Sequence, residues 1–209
     1  MNIKAIFPSI CALFRPSLLL PHITVETFAH IPNHLSNSLK NSVKWPHLHL
    51  DVDIRAIVID KDNCISIPKK LELYNAYKEK LEQLKKEFKE NRLLIVSNSS
   101  GISDKPYFHE ATILEKKLKI PVLRHKKKKP MCFSEVMEYL KRNTDVTSPS
   151  HVLIIGDRLF TDVLMGNKMG AWTIWIRTGV VKNTQFGSFE RTLYTILKKS
   201  SVSPPLPQI

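Results

Sequence analysis

Two aspartates, Asp60 and Asp62, directly follow the apolar run Ile57–Ile59 in the sequence IVIDKDNCIS. Two more, Asp157 and Asp162, lie in the sequence GDRLFTD, which also follows an apolar run. Carboxylates supply the oxygen ligands that Mg²⁺ prefers, and they can act as nucleophiles or as general acids and bases. The joint pattern favours a catalytic or metal-binding site over aspartates that only form turns after strands.

A run of lysines supplies positive charge to accompany these acids. A phosphomonoester dianion repels carboxylates, so an aspartate attacks phosphorus only when a divalent cation and a cationic side chain neutralise the charge. The sequence HKKKKP, residues 125–130, offers four lysines for this role. The residue types alone leave open which of the four is used.

The segments between these residues alternate between strand and helix periodicity. Apolar runs predict buried strands, and apolar residues that recur at helical spacing among charged ones predict helices. The predicted strands cover 55–60, 93–97, 121–123, 152–155 and 172–176, and the predicted helices cover 68–89, 104–119, 131–142 and 162–169. This alternation predicts an α/β fold, a Rossmann-like doubly wound parallel sheet with helices on both faces.

The polar residues fall where three of these strands end. Asp60, Ser97 and Asp157 each lie at the carboxyl end of a predicted strand. Ligands in doubly wound sheets bind beyond the carboxyl ends of the strands. The three segments, distant in sequence, are therefore predicted to form a single site.

At this combination of motifs the chain resembles the haloacid dehalogenase (HAD) phosphatase superfamily over about residues 52–180. That superfamily combines a DxD, a Ser or Thr that ends the second strand, a Lys, and GDxxxD. Within it, the DKDN variant, the Ser-Asn-Ser and Lys-Pro elements and GDRLFTDV are most similar to the YqeG-like and fungal mitochondrial phosphatidylglycerophosphate phosphatases. The resemblance implies the HAD fold.

The resemblance also implies a role for each acid. Asp60 is expected to be the nucleophile that forms an aspartyl-phosphate, and Asp62 to protonate the leaving alkoxide and then activate water. Mg²⁺ is the expected cofactor, held by Asp60, by Asp62 through its backbone carbonyl, and by Asp157. Asp162 is expected to hold a metal-bound water or to orient a neighbour.

The remaining motif positions contribute the phosphate-binding groups and the cation. The resemblance implies that Ser97 and the backbone around Asn98 hydrogen-bond the transferring phosphoryl oxygens, and its Lys-Pro element selects Lys129 as the catalytic cation. Lys126–Lys128 are then a solvated charge run or a patch that resembles a nuclear-import signal. Cys64 departs from the family pattern, in which a Thr is usual, and this departure puts the rigidity of the loop in question.

The chain has little room for a cap domain. About 35 residues separate Asp60 from Ser97, and one loop and one helix account for them. Capless members of the superfamily act on bulky substrates, including membrane lipids. The fungal-type resemblance implies that the substrate is phosphatidylglycerophosphate, which is hydrolysed to phosphatidylglycerol on the route to cardiolipin.

The first fifty residues differ from the rest in composition. They are rich in Ile, Leu, Phe and Pro, with no acid before Glu26. No uninterrupted apolar run reaches the roughly 18 residues that a membrane-spanning helix needs. An interfacial anchor, a mitochondrial presequence, and a segment that packs on the domain or mediates oligomerisation all remain open.

Three regions are predicted along the chain. Residues 1–50 form an apolar and basic segment with a membrane-associating or targeting role, 51–185 the HAD phosphatase domain, and 186–209 a C-terminal helix with a proline-rich tail. Together with the resemblance, this organisation predicts a peripheral protein on the matrix face of the mitochondrial inner membrane. Its expected partners are an anionic phospholipid substrate and the membrane surface, without nucleic acid, and a homo-oligomer is left open.

Charge and cysteine content narrow the class of protein. The net charge of +13 favours anionic partners such as phosphate esters, nucleic acid or acidic lipid. Cys11, Cys64 and Cys132 are odd in number and lack CxxC spacing, so neither a disulfide framework nor a structural zinc site is indicated. A reducing compartment is the simplest interpretation.

Alternative functions stay open at this point. The same chemistry on nucleic-acid ends or phosphoproteins fits the charge, and it predicts strongly salt-dependent polynucleotide binding. A phosphoacceptor would not need the second acid that Asp62 supplies, and a basic scaffold protein with a dead site would lack part of the motif set, of which no member is missing here. The alternating sequence HLHLDVD, residues 47–53, has the composition of a metal site but is typical of a half-exposed entry strand.

Overall fold

Five parallel strands form the sheet of this protein, for which the computed structural model describes residues 15–42, 51–102, 107–182 and 185–208. The strands are β1 (Ile23–Val25), β2 (Ala56–Ile59), β3 (Leu93–Ile95), β4 (Val152–Gly156) and β5 (Trp172–Ile176). Their order across the sheet is β1-β5-β4-β2-β3, and every neighbouring pair is parallel. The predicted doubly wound parallel α/β fold is confirmed.

Six α-helices connect or flank these strands in the described part of the chain. They are α1 (Leu35–Ser42), α2 (Lys78–Glu87), α3 (Tyr107–Leu118), α4 (Phe133–Asn143), α5 (Leu164–Met169) and α6 (Gln185–Lys199). A π-helical turn, Leu159–Val163, precedes α5. None of these helices has the length and apolar character that crossing a bilayer requires.

The helices cover both faces of the sheet because strand residues alternate between the two faces. Ile57 and Ile59 of β2 pack with buried residues of α1, α2 and α3. Ala56 and Val58 pack with buried residues of α4 and α5 on the opposite face, where α6 also lies against α5 and β5. Both faces of β2 are therefore buried, as its continuous apolar run predicts.

The N-terminal segment is part of this domain. Strand β1 extends the sheet beside β5, with Ile23 opposite Ile174, and Phe28, Leu35 and Leu39 are buried in the core. The predicted division at residue 50 therefore does not separate two folding units. The apolar residues before it form the edge strand of the sheet and part of its core. Residues 1–14, which include Cys11, lie outside the described residues, and their targeting or membrane role stays a prediction.

Two predicted elements differ from the structure. The helix expected over 68–89 begins only at Lys78, because residues 61–74 form a loop in which Tyr74 N–H donates a hydrogen bond to Ile65 O. The strand expected over 121–123 is a single bridge between Val122 and Ile95, too short to count as a strand. The start of the helix expected at 104 falls outside the described residues.

The connection from β2 to β3 contains only a loop and α2, apart from short 3₁₀ turns. It leaves no room for a cap domain between these strands, as predicted.

Candidate active site

The first residues after β2 and β4 begin the candidate site. Asp60 directly follows β2, and its backbone N–H donates a hydrogen bond of 2.9 Å to Ile155 O of β4. Asp157 directly follows β4. The ladder between the two strands thus places both acids at the same carboxyl edge, as predicted from the sequence.

Three of the predicted acids form a carboxylate cluster. One oxygen from each of Asp60, Asp157 and Asp162 lies within 4.8 Å of the other two. Asp60 is 8% exposed and Asp162 is 2% exposed. Gly156 permits this approach, because a Cβ atom at that position would lie 2.3 Å from the Asp162 Cγ atom. A larger residue there would displace Asp162 from the cluster.

Lys129 is the cation that the structure places among these acids. Its Nζ atom donates hydrogen bonds to Asp60 Oδ1 and, over 2.6 Å, to Asp162 Oδ1. The side chain of Asn98 fixes the lysine backbone, since Asn98 Oδ1 accepts a hydrogen bond of 2.8 Å from the Lys129 N–H. Lys126–Lys128 are exposed, as expected for a solvated run.

Burial dominates the electrostatics of the cluster. It raises the pKa of Asp60 to about 7, against the opposing effect of Lys129 and with a further rise from Asp162. Burial and the neighbouring acids Asp60 and Asp162 also raise the pKa of Asp157 well above its usual value. The pKa of Lys129 is raised, because the attraction of Asp162 and Asp60 outweighs the effect of burial. A cluster of this kind favours the binding of additional positive charge.

The carboxylate of Asp62 lies outside the cluster and has its own hydrogen-bond partners. It accepts hydrogen bonds from Lys61 Nζ over 2.5 Å, from the Lys69 N–H over 2.7 Å, and from Ser99 Oγ. Burial raises the pKa of Asp62, but the hydrogen bonds from Lys61 and Ser99 outweigh it, so the net pKa is lowered. The structure therefore does not bring this side chain into the carboxylate cluster, and its predicted backbone ligation of Mg²⁺ stays a prediction.

Ser97 and Asn98 occupy the loop after β3. Ser97 is fully buried, and its Oγ accepts a hydrogen bond of 3.2 Å from the Ser99 N–H. The Oδ1 atom of Asn98 is engaged with the Lys129 N–H, and the contact predicted with a phosphoryl group involves the backbone of this segment. The phosphate-binding role of both residues stays a prediction.

Asn63 is a residue of the site that the sequence analysis did not identify. Its Nδ2 donates a hydrogen bond of 2.9 Å to Asp157 Oδ2, and its Oδ1 accepts one of 2.7 Å from the Val181 N–H. Asn63 has a φ of 62°, a left-handed conformation that Asn adopts more readily than most residues. An Asn directly after the DxD is the signal that could have identified it.

Gly179 and Glu190 support the site from the C-terminal part of the domain. Gly179 has a φ of 69°, and a Cβ atom there would lie 2.4 Å from Asn63 Nδ2, so glycine leaves room for the Asn63 amide. Glu190 of α6 accepts a hydrogen bond of 3.1 Å from the Phe160 N–H, which lies in the turn that carries Asp162. Burial raises the pKa of Glu190 to about 7. No sequence motif marks Glu190.

The carboxylate cluster fits a hard divalent cation. Asp157 Oδ1 is buried and has no hydrogen-bond partner, while its Oδ2 is occupied by Asn63. An unpartnered buried carboxylate oxygen is costly unless a cation or a water satisfies it. The three acids offer only oxygen donors, which suits Mg²⁺.

The other candidates from the sequence contribute no side chain to the carboxylate cluster or lie outside the described residues. His47 and His49 are not described, and Asp53 pairs with Arg55 at the exposed surface. Cys64 is fully buried in the core, where burial raises the pKa of its thiol. Trp172 and Trp175 are buried on opposite faces of β5, and Trp175 Nε1 donates a hydrogen bond of 2.9 Å to the backbone carbonyl oxygen of Asp157.

Comparison with known proteins identifies relatives over nearly the whole chain. A family model described as "Mitochondrial PGP phosphatase" matches residues 3–181. The mitochondrial phosphatidylglycerophosphatase GEP4 of Saccharomyces cerevisiae is 39% identical over 198 residues, which cover 94% of this chain and 99% of the yeast protein. The probable mitochondrial phosphatidylglycerophosphatase of Schizosaccharomyces pombe is 37% identical, over 88% of this chain and 86% of its own.

A plant protein shows a more distant similarity. The chloroplastic and mitochondrial phosphatidylglycerophosphate phosphatase 1 of Arabidopsis thaliana is 30% identical, over 83% of this chain and 45% of its own. The similarity to the fungal proteins begins before the predicted boundary at residue 50, consistent with the place of β1 in the sheet.

Proposed function

Since the chain belongs to the mitochondrial PGP phosphatase family, we propose that it is a phosphatidylglycerophosphatase, which hydrolyses the terminal phosphomonoester of phosphatidylglycerophosphate to give phosphatidylglycerol. One observation carries the proposal: the phosphatidylglycerophosphatase of Saccharomyces cerevisiae matches almost the entire chain, at 39% identity. The product, phosphatidylglycerol, is a precursor of cardiolipin.

The geometry supports Asp60 as the nucleophile. Asp60 directly follows β2, and its Oδ1 accepts a hydrogen bond from Lys129 Nζ. A carboxylate oxygen of Asp60 attacks phosphorus, and the bond from phosphorus to the glycerol oxygen breaks, which leaves an aspartyl-phosphate and an alkoxide. Water then attacks the phosphorus of this intermediate, and inorganic phosphate and the free carboxylate are released.

Asp62 supplies and removes the proton in these two steps. It protonates the leaving alkoxide in the first step and takes a proton from the attacking water in the second. In the structure its carboxylate is held by Lys61, Ser99 and the Lys69 N–H, which stabilise the ionised form. Asp62 must therefore gain a proton and release at least one of these contacts before it acts as an acid.

Mg²⁺ is the proposed cofactor, with Asp60, Asp157 and Asp162 as the side chains that would hold it. When bound, it would reduce the repulsion between the phosphomonoester and the carboxylates. The unpartnered Asp157 Oδ1 supports this assignment. Lys129 orients Asp60 and Asp162 and carries positive charge close to the position of the phosphoryl group.

The proposed location is the matrix face of the mitochondrial inner membrane, with the protein bound peripherally. The fungal relatives are named as mitochondrial, which supports the organelle. The assignment to one membrane face extends beyond those names. The choice of the matrix face is part of the proposal and comes from the family resemblance, and binding at a membrane surface is proposed because the substrate is a membrane lipid.

Phosphate release from phosphatidylglycerophosphate in mixed micelles tests the function. We expect release by the wild type with Mg²⁺, no release with EDTA, and a loss of at least about a thousandfold in Asp60→Asn. Asp51→Asn, the same change at an exposed aspartate that precedes β2, is the matched control and should retain activity. If the protein hydrolysed a soluble aryl phosphate but not the lipid, it would be a phosphatase, and phosphatidylglycerophosphate would be excluded as its substrate.

A further inference from the structure

Three loops at the carboxyl edge of the sheet each combine one exposed apolar side chain with exposed lysines. The loops are residues 66–70, 126–131 and 177–182, which we call the rim loops. Their apolar side chains are Ile67, Met131 and Val181, which are 41%, 40% and 39% exposed. Exposed large apolar side chains that gather at one edge indicate a surface with a partner.

Each rim loop is bonded to a residue of the active site. Ile67 follows Ser66, whose carbonyl oxygen accepts a hydrogen bond of 2.8 Å from the Asn63 N–H. Met131 lies two residues after Lys129, the lysine that contacts Asp60. The Val181 N–H donates to Asn63 Oδ1, and Asn63 in turn donates to Asp157. The three apolar side chains therefore belong to three different loops, each of which contains or directly contacts a residue of the active site.

The charge of the rim loops has a single sign. Their sequences are SIPKK, KKKKPM and RTGVVK, which together contain eight basic residues and no acidic one. Two acids from neighbouring elements contact the loops: Glu26 pairs with Arg177 over 3.7 Å, and Glu135 accepts a hydrogen bond of 2.7 Å from the Lys126 N–H. Lys129 is buried in the active site, whereas Lys69, Lys126–Lys128 and Lys182 are exposed. An exposed surface of this composition is complementary to an anionic partner.

From this arrangement we propose that the rim loops dock on an anionic lipid bilayer, with Ile67, Met131 and Val181 inserted at the boundary of the headgroups and the lysines against lipid phosphates. The proposal rests on the proposed function, because it names the surface through which the enzyme reaches a substrate held in a membrane. It places the opening of the active site toward the lipid headgroups. A phosphomonoester on a headgroup then needs no extraction from the bilayer to approach Asp60.

The composition of the rim favours lipid over nucleic acid. Proteins that bind single-stranded nucleic acid combine basic grooves with aromatic side chains on which bases stack. The three rim sequences contain no Phe, Tyr or Trp. Aliphatic side chains between lysines are instead typical of surfaces that enter the interfacial region of a bilayer.

Vesicle flotation with the full chain tests the docking surface. The probes are phosphatidylcholine vesicles with and without phosphatidylglycerol, and the variant is Ile67→Ser combined with Met131→Gln and Val181→Ser. We expect wild-type binding only to the anionic vesicles, and at least about tenfold weaker binding by the triple variant. The control is Ile196→Ser with Leu206→Ser, two exposed apolar residues outside the rim, which should bind as the wild type does.

A second pair of variants tests the charge. Replacement of Lys126, Lys127 and Lys128 by Ala should weaken binding to anionic vesicles and reduce its dependence on salt, whereas replacement of Lys198 and Lys199 by Ala should not. Unchanged vesicle binding in the apolar triple variant would overturn the proposal. Wild-type binding to an oligonucleotide but not to anionic vesicles would also overturn it, in favour of a nucleic-acid surface.

Hydrolysis of two forms of the substrate separates this proposal from the proposed function. With short-chain, water-soluble phosphatidylglycerophosphate, the apolar triple variant should match the wild type, while its activity on the same lipid in vesicles should fall at least tenfold. If the wild type hydrolyses neither form but its vesicle binding still depends on the rim, the docking surface stands and the substrate is wrong. An equal loss on both forms would show that the three side chains act in the site rather than in docking, and would contradict the proposal.

Discussion

Lys129 donates a hydrogen bond of 2.6 Å from Nζ to Oδ1 of Asp162, and both side chains are almost completely buried. The same Nζ also contacts Asp60. A single ammonium group therefore joins the loop after β2 to the turn after β4. Because buried charges are costly without partners, this lysine both holds the acids in place and keeps the cluster from excess negative charge.

Lys129→Met is expected to leave the acids of the cluster without their cation. We expect a loss of about 3–5 kcal/mol in the free energy of unfolding at neutral pH, because buried charges lose their partner. The loss should be smaller at acidic pH, where the carboxylates take up protons. Activity should fall at least about a hundredfold.

Urea unfolding at pH 5 and pH 8 measures the effect on stability. Lys128→Met serves as the control, since Lys128 is exposed and its loss should change stability by less than about 0.5 kcal/mol. Equal stability of the two variants at pH 8 would contradict the structural role that we assign to Lys129.

Asn63→Gly is expected to weaken metal binding while the positive φ at this position is retained, although the Val181 N–H also loses its acceptor. Glycine adopts the positive φ of Asn63 freely but lacks the amide that holds Asp157. Groups that orient a metal ligand typically change metal affinity about 10–100-fold when they are removed. The Mg²⁺ concentration for half-maximal activity should therefore rise by about that factor, while activity at saturating Mg²⁺ falls less.

A titration of activity with Mg²⁺ checks this expectation. Lys119→Gly is the matched control, because Lys119 is exposed, lies after α3 and also has a positive φ, of 52°. An Asn63→Gly enzyme with reduced activity but an unchanged Mg²⁺ requirement would show that Asn63 acts by another route.

His22 is expected to make the protein sensitive to acid. Its Nδ1 accepts a hydrogen bond of 3.1 Å from the Thr173 N–H, and its Nε2 donates one of 3.0 Å to Pro205 O. Burial lowers the pKa of His22 from 6.5 to about 4, against the smaller effect of the Pro205 hydrogen bond. Between these values the unfolded chain binds one proton more than the folded protein, so stability is complete above pH 6.5 and falls as the pH decreases toward 4.

The size of this effect is about 3 kcal/mol over that range, since each pKa unit corresponds to about 1.4 kcal/mol. Unfolding by urea at pH 7 and pH 4.5 in the wild type and in His22→Gln measures it. We expect the variant to be less stable at pH 7 but to lose less stability on acidification. A variant with the same loss as the wild type would exclude His22 as the source.

The positions of the acids could be predicted from the sequence because strand periodicity and topology determine them. Asp60 and Asp157 each follow an apolar run that forms a strand, and the carboxyl ends of parallel strands must lie at one edge. The choice of Lys129 among four lysines rests on the family resemblance, through its Lys-Pro element, and in the structure the Nζ atom of Lys129 contacts Asp60.

Other features depend on contacts that no local pattern encodes. The Asp62 carboxylate contacts Lys61, its neighbour in the chain, and Ser99 of the loop after β3, and it lies outside the carboxylate cluster. β1 lies in a segment whose apolar composition is equally typical of a membrane anchor. Its position in the sheet depends on pairing with the free edge of β5, which the local sequence does not indicate. Glu190 reaches the turn that carries Asp162 from a helix near the end of the chain.

Detection of a phosphoryl group on Asp60 tests the central claim most directly. Asp62→Asn should form the aspartyl-phosphate slowly and hydrolyse it more slowly still, because the variant lacks the base that activates water. After reaction with phosphatidylglycerophosphate and Mg²⁺ and an acid quench, mass spectrometry should find one phosphoryl group on Asp60, and none in the variant that also carries Asp60→Asn. Phosphate release by the wild type with no phosphoryl group on Asp60 at any time would contradict the proposed role of Asp60 as nucleophile.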